Sequence, residues 1–77
     1  MEERVLEILE EINEEIIDYN GDDMYGEGVI TSVEVLDIVS NLEDEIDIEI
    51  DAQYVVAENF ANKEAIINLV KHVIEND

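Results

Sequence analysis

The chain has 77 residues and no cysteine, and its 23 acidic and 3 basic side chains give a formal net charge of −20. A chain of this length builds one hydrophobic core, so a single domain over residues 1–77 is expected, stabilised mainly by apolar burial. Three cations are too few to neutralise phosphates, which excludes nucleic acids and anionic membranes as partners, and without a leader or transmembrane pattern a cytoplasmic monomer is expected.

The first predicted helix covers Glu2–Ile17, where apolar residues recur with the spacing of one helical face: Val5, Ile8, Leu9, Ile12 and Ile16. The following stretch, from Asp18 to Gly28, has three glycines and little periodicity, which predicts a long loop. Loops of this length are uncommon within compact domains and are often functional.

The second predicted helix runs from about Ser32 to Ile46 and has the same apolar spacing, at Val35, Ile38, Val39, Leu42 and Ile46. Its start is indicated by a T-x-x-E capping box, in which Thr31 caps the helix and Glu34 reaches back to the cap. Ser32 is therefore expected to be the first helical residue.

A brief third helix is predicted over Ala52–Asn59, with Tyr54 and either Val55 or Val56 facing inward. Asn62 is expected to cap the last helix, whose predicted core face consists of Ile66, Ile67, Val70, Val73 and Ile74. No alternating strand pattern is seen. The predicted fold class is all-α, a small up-and-down four-helix bundle of three longer helices and one short helix.

Enzymatic activity is not expected, because catalysis needs a positioned base, nucleophile or metal. The chain has no thiol, and its single histidine, His72, is spaced off the apolar face of the last helix, as is typical of a solvated surface residue. Carboxylates are so abundant that no acid/base pair can be singled out from them.

The acidic loop partly matches a calcium site, since Asp18, Asn20 and Asp22 stand at positions 1, 3 and 5 of an EF-hand. Asp23 stands where glycine is required, and Val29 stands where a bidentate glutamate is required. No dedicated metal site is therefore predicted, although loose binding of divalent cations by clustered carboxylates stays open. The dense negative charge also predicts that salt stabilises the fold.

Ser32 would lie at a helix N-terminus, where free N–H groups and the macrodipole favour a negative group such as phosphate. At about 100° per residue, the face opposite the core carries Val33, Asp37, Ser40 and Asp44. This face suits a partner that presents Arg and Lys around a small hydrophobic pocket. The alternative is an ordinary first-turn serine on a solvated helix surface.

Three segments of the second helix are similar in register to one known family: Thr31-Ser32-Val33, then Val35-Leu36-Asp37-Ile38-Val39, then Leu42-Glu43-Asp44-Glu45-Ile46-Asp47. Over most of its length the chain resembles acyl carrier proteins, the family of fatty-acid, peptidyl and D-alanyl carriers. The preceding Glu27-Gly28-Val29-Ile30 resembles the D-alanyl and stand-alone peptidyl carriers more than the fatty-acid carriers.

In that family a serine at the start of the second helix carries 4′-phosphopantetheine, whose thiol holds an acyl or aminoacyl group. The resemblance therefore implies attachment at Ser32 and contacts with partner enzymes through Val33, Glu34, Asp37 and Asp44. The implied partners are a phosphopantetheinyl transferase, a loading ligase for the acyl or aminoacyl group, and downstream acyl-transfer enzymes of fatty-acid, polyketide or nonribosomal-peptide biosynthesis. Thr31 stands where the family usually has Asp, which keeps the cap but loses the charge.

Two functions are thus weighed. The first is a stand-alone carrier, in which a groove between the second and third helices, lined by Ile38, Leu42, Tyr54 and Phe60, would shelter a cargo chain. The alternative for these four residues is that they are simply part of the core. The second is an unmodified helical adaptor with the carrier fold, which acts only by protein–protein binding through its acidic face.

Overall fold

The computed structural model describes residues 1–76, which form a small all-α helical bundle. Its α-helices are α1 (Glu2–Ile12), α2 (Glu15–Asp18), α3 (Ser32–Ile46) and α4 (Lys63–Glu75), and two 3₁₀ turns, Ala52–Tyr54 and Ala57–Phe60, lie between α3 and α4. Within residues 1–76 there is no strand, and no helix is long and apolar enough to cross a membrane. The predicted fold class, with three longer helices and a short one, is confirmed.

Helix α1 runs antiparallel to both α3 and α4. Arg4, in the first turn of α1, forms an ion pair of 2.5 Å with Glu45, in the last turn of α3. The carboxylate of Glu2, at the start of α1, forms an ion pair of 3.2 Å with the ammonium group of Lys71 of α4. Because both partners lie towards the C-terminal ends of their helices, α3 and α4 begin together at the opposite end of the bundle.

The core is built from the apolar stripes that the sequence predicts. Fully or almost fully buried residues come from every α-helix, the loop and the second 3₁₀ turn, and they include Val5, Ile8, Leu9, Ile16, Met24, Ile30, Ile38, Leu42, Phe60, Ile66 and Val70. Among the described residues no polar side chain is fully buried. Apolar packing therefore supplies the cohesion of the bundle, as expected for a chain without cross-links.

The core face of α4 differs from the prediction at one edge. The prediction for Ile74 is wrong, because its side chain is 41% exposed, whereas Leu69 is buried. Ile74 lies in the last turn of α4, whereas the second 3₁₀ turn packs against the helix beside Leu69. The predicted cap is confirmed, since Asn62 Oδ1 accepts the Ala65 N–H at 2.8 Å.

The prediction of one continuous first helix over Glu2–Ile17 is wrong, because α1 ends at Ile12 and α2 begins at Glu15. Asn13, between them, has an extended backbone (φ −163°, ψ 104°), and its side-chain Oδ1 accepts the Glu15 N–H at 3.0 Å. A short polar side chain that bonds to nearby backbone competes with helix continuation. The apolar period survives the break, which is why the sequence pattern does not reveal it.

The predicted third helix over Ala52–Asn59 is also wrong, since that stretch forms the two 3₁₀ turns. Val55 and Val56 separate the turns, and Val56 is fully extended (φ −130°, ψ 153°). Successive β-branched residues lose side-chain freedom in a helix, which favours this break. Tyr54 and Val55 are half-buried, whereas Val56 is exposed.

Candidate functional site

Ser32 is the first residue of α3, and the predicted capping box fixes its turn. Thr31 Oγ1 accepts the Glu34 N–H at 3.2 Å, and Glu34 Oε1 accepts the Thr31 N–H at 3.1 Å. No hydrogen bond found within residues 1–76 uses the Ser32 hydroxyl or the amide N–H of Ser32 or Val33. An exposed hydroxyl thus lies beside two free donors at the positive end of a 15-residue helix.

The capping box is tied to the end of α1 through Asn13. The Asn13 Nδ2 group donates to the backbone oxygen of Val29 and to Glu34 Oε2, both at 3.1 Å. Glu34 is consequently half-buried, with each carboxylate oxygen bonded. It differs from the other residues expected to contact partners, Val33, Asp37 and Asp44, which are all exposed.

An open apolar groove of about 270 Å³ borders Ser32, between the first half of α3 and the two 3₁₀ turns. Its other lining residues are all apolar or aromatic: Tyr25, Val35, Leu36, Val55, Val56, Ala57 and Phe60. Large apolar side chains also stand exposed around the same serine, and the set Tyr25, Val33, Leu36 and Val56 is termed the apolar rim. Val33 is 66% and Leu36 is 61% exposed.

The groove is not the one predicted from the sequence. Ile38 and Leu42, which the prediction places in its lining, are fully buried in the core, and Tyr54 lies elsewhere, with its ring centroid 5.4 Å from that of His72. Only Phe60 of the predicted set contributes to the observed groove. The groove lies nearer the start of α3 than expected, because the chain after α3 returns to the level of Ser32 in the 3₁₀ turns.

The exposed face of α3 is acidic. Asp37, Ser40 and Asp44 are exposed, as predicted, and neither aspartate has a cation partner within the described part of the chain. The α3 surface therefore joins the apolar rim at its start to unneutralised carboxylates further along. Surfaces of this type attract partners of opposite charge and orient them during encounter.

Sequence reasoning found Ser32, Thr31 and Val33 but missed three members of the apolar rim. Leu36 is adjacent to the stripe residue Val35 and about 100° further round the helix, so its spacing alone was a usable signal. Tyr25 and Val56 have no such signal, because they belong to segments without helical period. Their positions depend on the path of the loop and of the 3₁₀ turns.

No family model matches this sequence, and no curated protein is significantly similar to it. The chemistry of the site must therefore be inferred from its own residues. His72 lies in the last turns of α4, at the end of the bundle away from Ser32. In residues 1–76 no three His, Cys, Asp or Glu side chains are grouped so that they could hold a metal ion. What remains is an accessible hydroxyl between an apolar groove and an acidic helix face.

Proposed function

We propose that this protein is a carrier that bears a 4′-phosphopantetheine arm on Ser32 and presents a thioester-linked acyl or aminoacyl group to partner enzymes. The observation that carries the proposal is the exposed, unbonded Ser32 hydroxyl at the capped start of α3, bordered by the apolar groove and the apolar rim. A serine kept only for helix capping would be expected at position 31, where Thr31 already has that role.

The residues around Ser32 fit a phosphodiester at this position. The free N–H groups of Ser32 and Val33 would donate to its oxygens, and the helix dipole favours its negative charge. The nearest acid in the same turn, Glu34, is held by Thr31 and Asn13. That arrangement limits repulsion between the carboxylate and a phosphate on the neighbouring serine.

The attachment step needs the hydroxyl of Ser32 and coenzyme A as the donor of the phosphopantetheine group. Ser32 Oγ would form a bond to the phosphorus of the phosphopantetheine part of coenzyme A, the pyrophosphate P–O bond would break, and adenosine 3′,5′-bisphosphate would leave. The hydroxyl proton would pass to a base of the transferase, since residues 1–76 provide no histidine near Ser32. The carrier itself supplies position and exposure, and its partners supply the chemistry.

Partner docking is supported by the surface of α3. The apolar rim would contact a hydrophobic pocket, and Asp37 and Asp44 would pair with Lys or Arg around it. Charge steering raises the association rate more than the affinity, and this favours rapid exchange of one carrier among several enzymes. The same surface is what an unmodified adaptor would use, so docking alone does not separate the two functions.

Covalent modification separates them. The protein would be incubated with coenzyme A, Mg²⁺ and a panel of phosphopantetheinyl transferases, and intact mass would be measured before and after. We expect one phosphopantetheine group on the wild type and none on Ser32→Ala. The matched control is Ser40→Ala, an exposed serine of the same helix, which should be modified like the wild type. An unmodified wild type across the panel would reject the carrier and leave the adaptor.

A further inference from the structure

The Asn13 side chain joins three parts of the chain at the start of α3. Its Oδ1 accepts from Glu15, and its Nδ2 donates both to the Val29 carbonyl and to the Glu34 carboxylate. Every hydrogen-bonding atom of the amide is thereby used, across sequence separations of up to 21 residues. A half-buried side chain with this many partners is costly to replace, because each partner would lose its bond.

We propose that Asn13 is a positioning residue for Ser32: it fixes the first turn of α3 in the geometry in which the serine hydroxyl is offered for modification. The inference rests on the proposed function and adds to it a residue outside the serine-bearing helix. Asn13 acts through Glu34, whose other oxygen holds the Thr31 N–H, so one amide restrains both residues that flank the pair Ser32 and Val33.

The loop before α3 explains why such a restraint is needed. Residues 19–31 contain no helix, so the chain that enters α3 is held by tertiary contacts: Ile30 is buried in the core, and Asn13 bonds to Val29 and Glu34. Val29 and Ile30 donate only to Met24 of the same loop, whereas Asn13 binds the Val29 carbonyl from the end of α1. Small displacements of a reacting group lower the rate of transfer strongly, because the attacking atom must be aligned.

The test exchanges the donor and the acceptor of one hydrogen bond. Asn13→Asp keeps the acceptor for the Glu15 N–H but sets a carboxylate against that of Glu34, and it removes the donor to both Glu34 and the Val29 carbonyl. Glu34→Gln in the same chain supplies an amide donor to the new carboxylate at position 13 and keeps an acceptor for the Thr31 N–H. The four proteins, wild type, N13D, E34Q and the double variant, would be assayed by transferase kinetics at a temperature where circular dichroism shows each to be folded.

We expect kcat for modification of Ser32 to fall about tenfold in N13D with little change in KM, since the docking face is untouched. The double variant should be slower than E34Q by only about threefold, because the bond between positions 13 and 34 is restored whereas the bond to the Val29 carbonyl stays lost. Amide hydrogen exchange should accelerate in N13D at Glu34 and Val35 more than in α4, which distinguishes a local shift from general loss of stability.

Each outcome is decisive. If the wild type is modified and N13D has the same kcat, the positioning role is overturned and the carrier function stands. The same holds if E34Q does not restore any of the kcat lost in N13D. Failure of the wild type to accept phosphopantetheine would overturn the proposed function and, with it, the role of Asn13 in modification. In that case the exchange measurement still decides whether the Asn13–Glu34 bond orders the first turn of α3.

Discussion

The phenol of Tyr19 donates a 2.7 Å hydrogen bond to the carboxylate of Glu27, across the loop that leads into α3. The same oxygen accepts the Asp23 N–H at 2.8 Å, so one side chain ties two points of the loop to its beginning. Partial burial, followed by the hydrogen bond to Glu27, raises the pKa of Tyr19 above its ordinary value. Tyr19, the first residue after α2, thus holds together two points of the irregular loop.

Tyr19→Phe should lower the urea midpoint of unfolding at neutral pH, because both hydrogen bonds of the phenol are lost. A raised folded-state pKa means that the native state prefers the protonated phenol. The contribution of Tyr19 to the free energy of unfolding is therefore complete below its unfolded-state pKa of about 10. It is lost as the pH rises through the folded-state pKa. Urea titrations of wild type and Tyr19→Phe from pH 7 to 11 should converge at the alkaline end. Tyr25→Phe, at an exposed ring, is the control and should match the wild type.

The Lys63 ammonium donates a 2.6 Å hydrogen bond to the backbone oxygen of Ile17 and so joins the start of α4 to α2. Lys63→Met keeps the apolar stem and removes this bond, which should cost about 1.5 kcal/mol of unfolding free energy. Lys71→Met makes the same charge change, but the partner there is exposed Glu2 at 3.2 Å, so a loss of about 0.5 kcal/mol or less is expected. Equal losses for the two variants in chemical denaturation would contradict the structural role of Lys63.

The exposed side of α1 is crowded with like charges, since Glu7 has Glu3, Glu10 and Glu11 at helical contact spacing, and Arg4, at the same spacing, is paired with Glu45. Glu7→Lys would convert these repulsions into attractions and should stabilise the protein by about 1 kcal/mol at low salt. Glu7→Gln should give roughly half of that gain. Thermal melts at about 10 mM and about 1 M salt form the check, because screening should raise the wild-type Tm and shrink the difference between variants. A wild-type Tm that does not respond to ionic strength would refute the role of charge.

Leu36 is the most exposed large apolar residue of the groove and belongs to the proposed docking surface. Leu36→Ser should raise KM for a phosphopantetheinyl transferase about tenfold, as expected when an interface anchor is truncated, with a smaller effect on kcat. Ile74→Ser, at an exposed apolar residue of α4, should leave both constants unchanged. If Leu36→Ser has the same KM as Ile74→Ser and the wild type, the docking face lies elsewhere.

The long helices were predictable because their signals are local. Helix α3 has the predicted bounds, since the capping box starts it and the apolar period runs to Ile46. The break at Asn13 was not predictable, because Ile12 and Ile16 keep the helical period on either side of it. Periodicity records which residues face the core but does not record whether the backbone between them remains helical.

The same distinction applies to the candidate site. Thr31, Ser32 and Glu34 could be assigned from a four-residue pattern whose hydrogen bonds close within one helical turn. The contact of Glu34 with Asn13 could not be assigned, because it joins residues 21 positions apart through a loop without regular structure. The groove was misplaced for a related reason, since Phe60 and Val56 reach Ser32 only by way of two 3₁₀ turns.

By itself the sequence determined an acidic, all-α, single-core protein with a serine at the capped start of α3, because burial pattern, charge and capping are properties of neighbouring residues. Only the tertiary structure decided that Asn13 holds the serine-bearing turn and that Tyr25 and Val56 join the exposed apolar residues of α3 around the serine. These relationships depend on how loops close between helices, and loop closure is governed by a few long-range contacts that leave no period in the sequence.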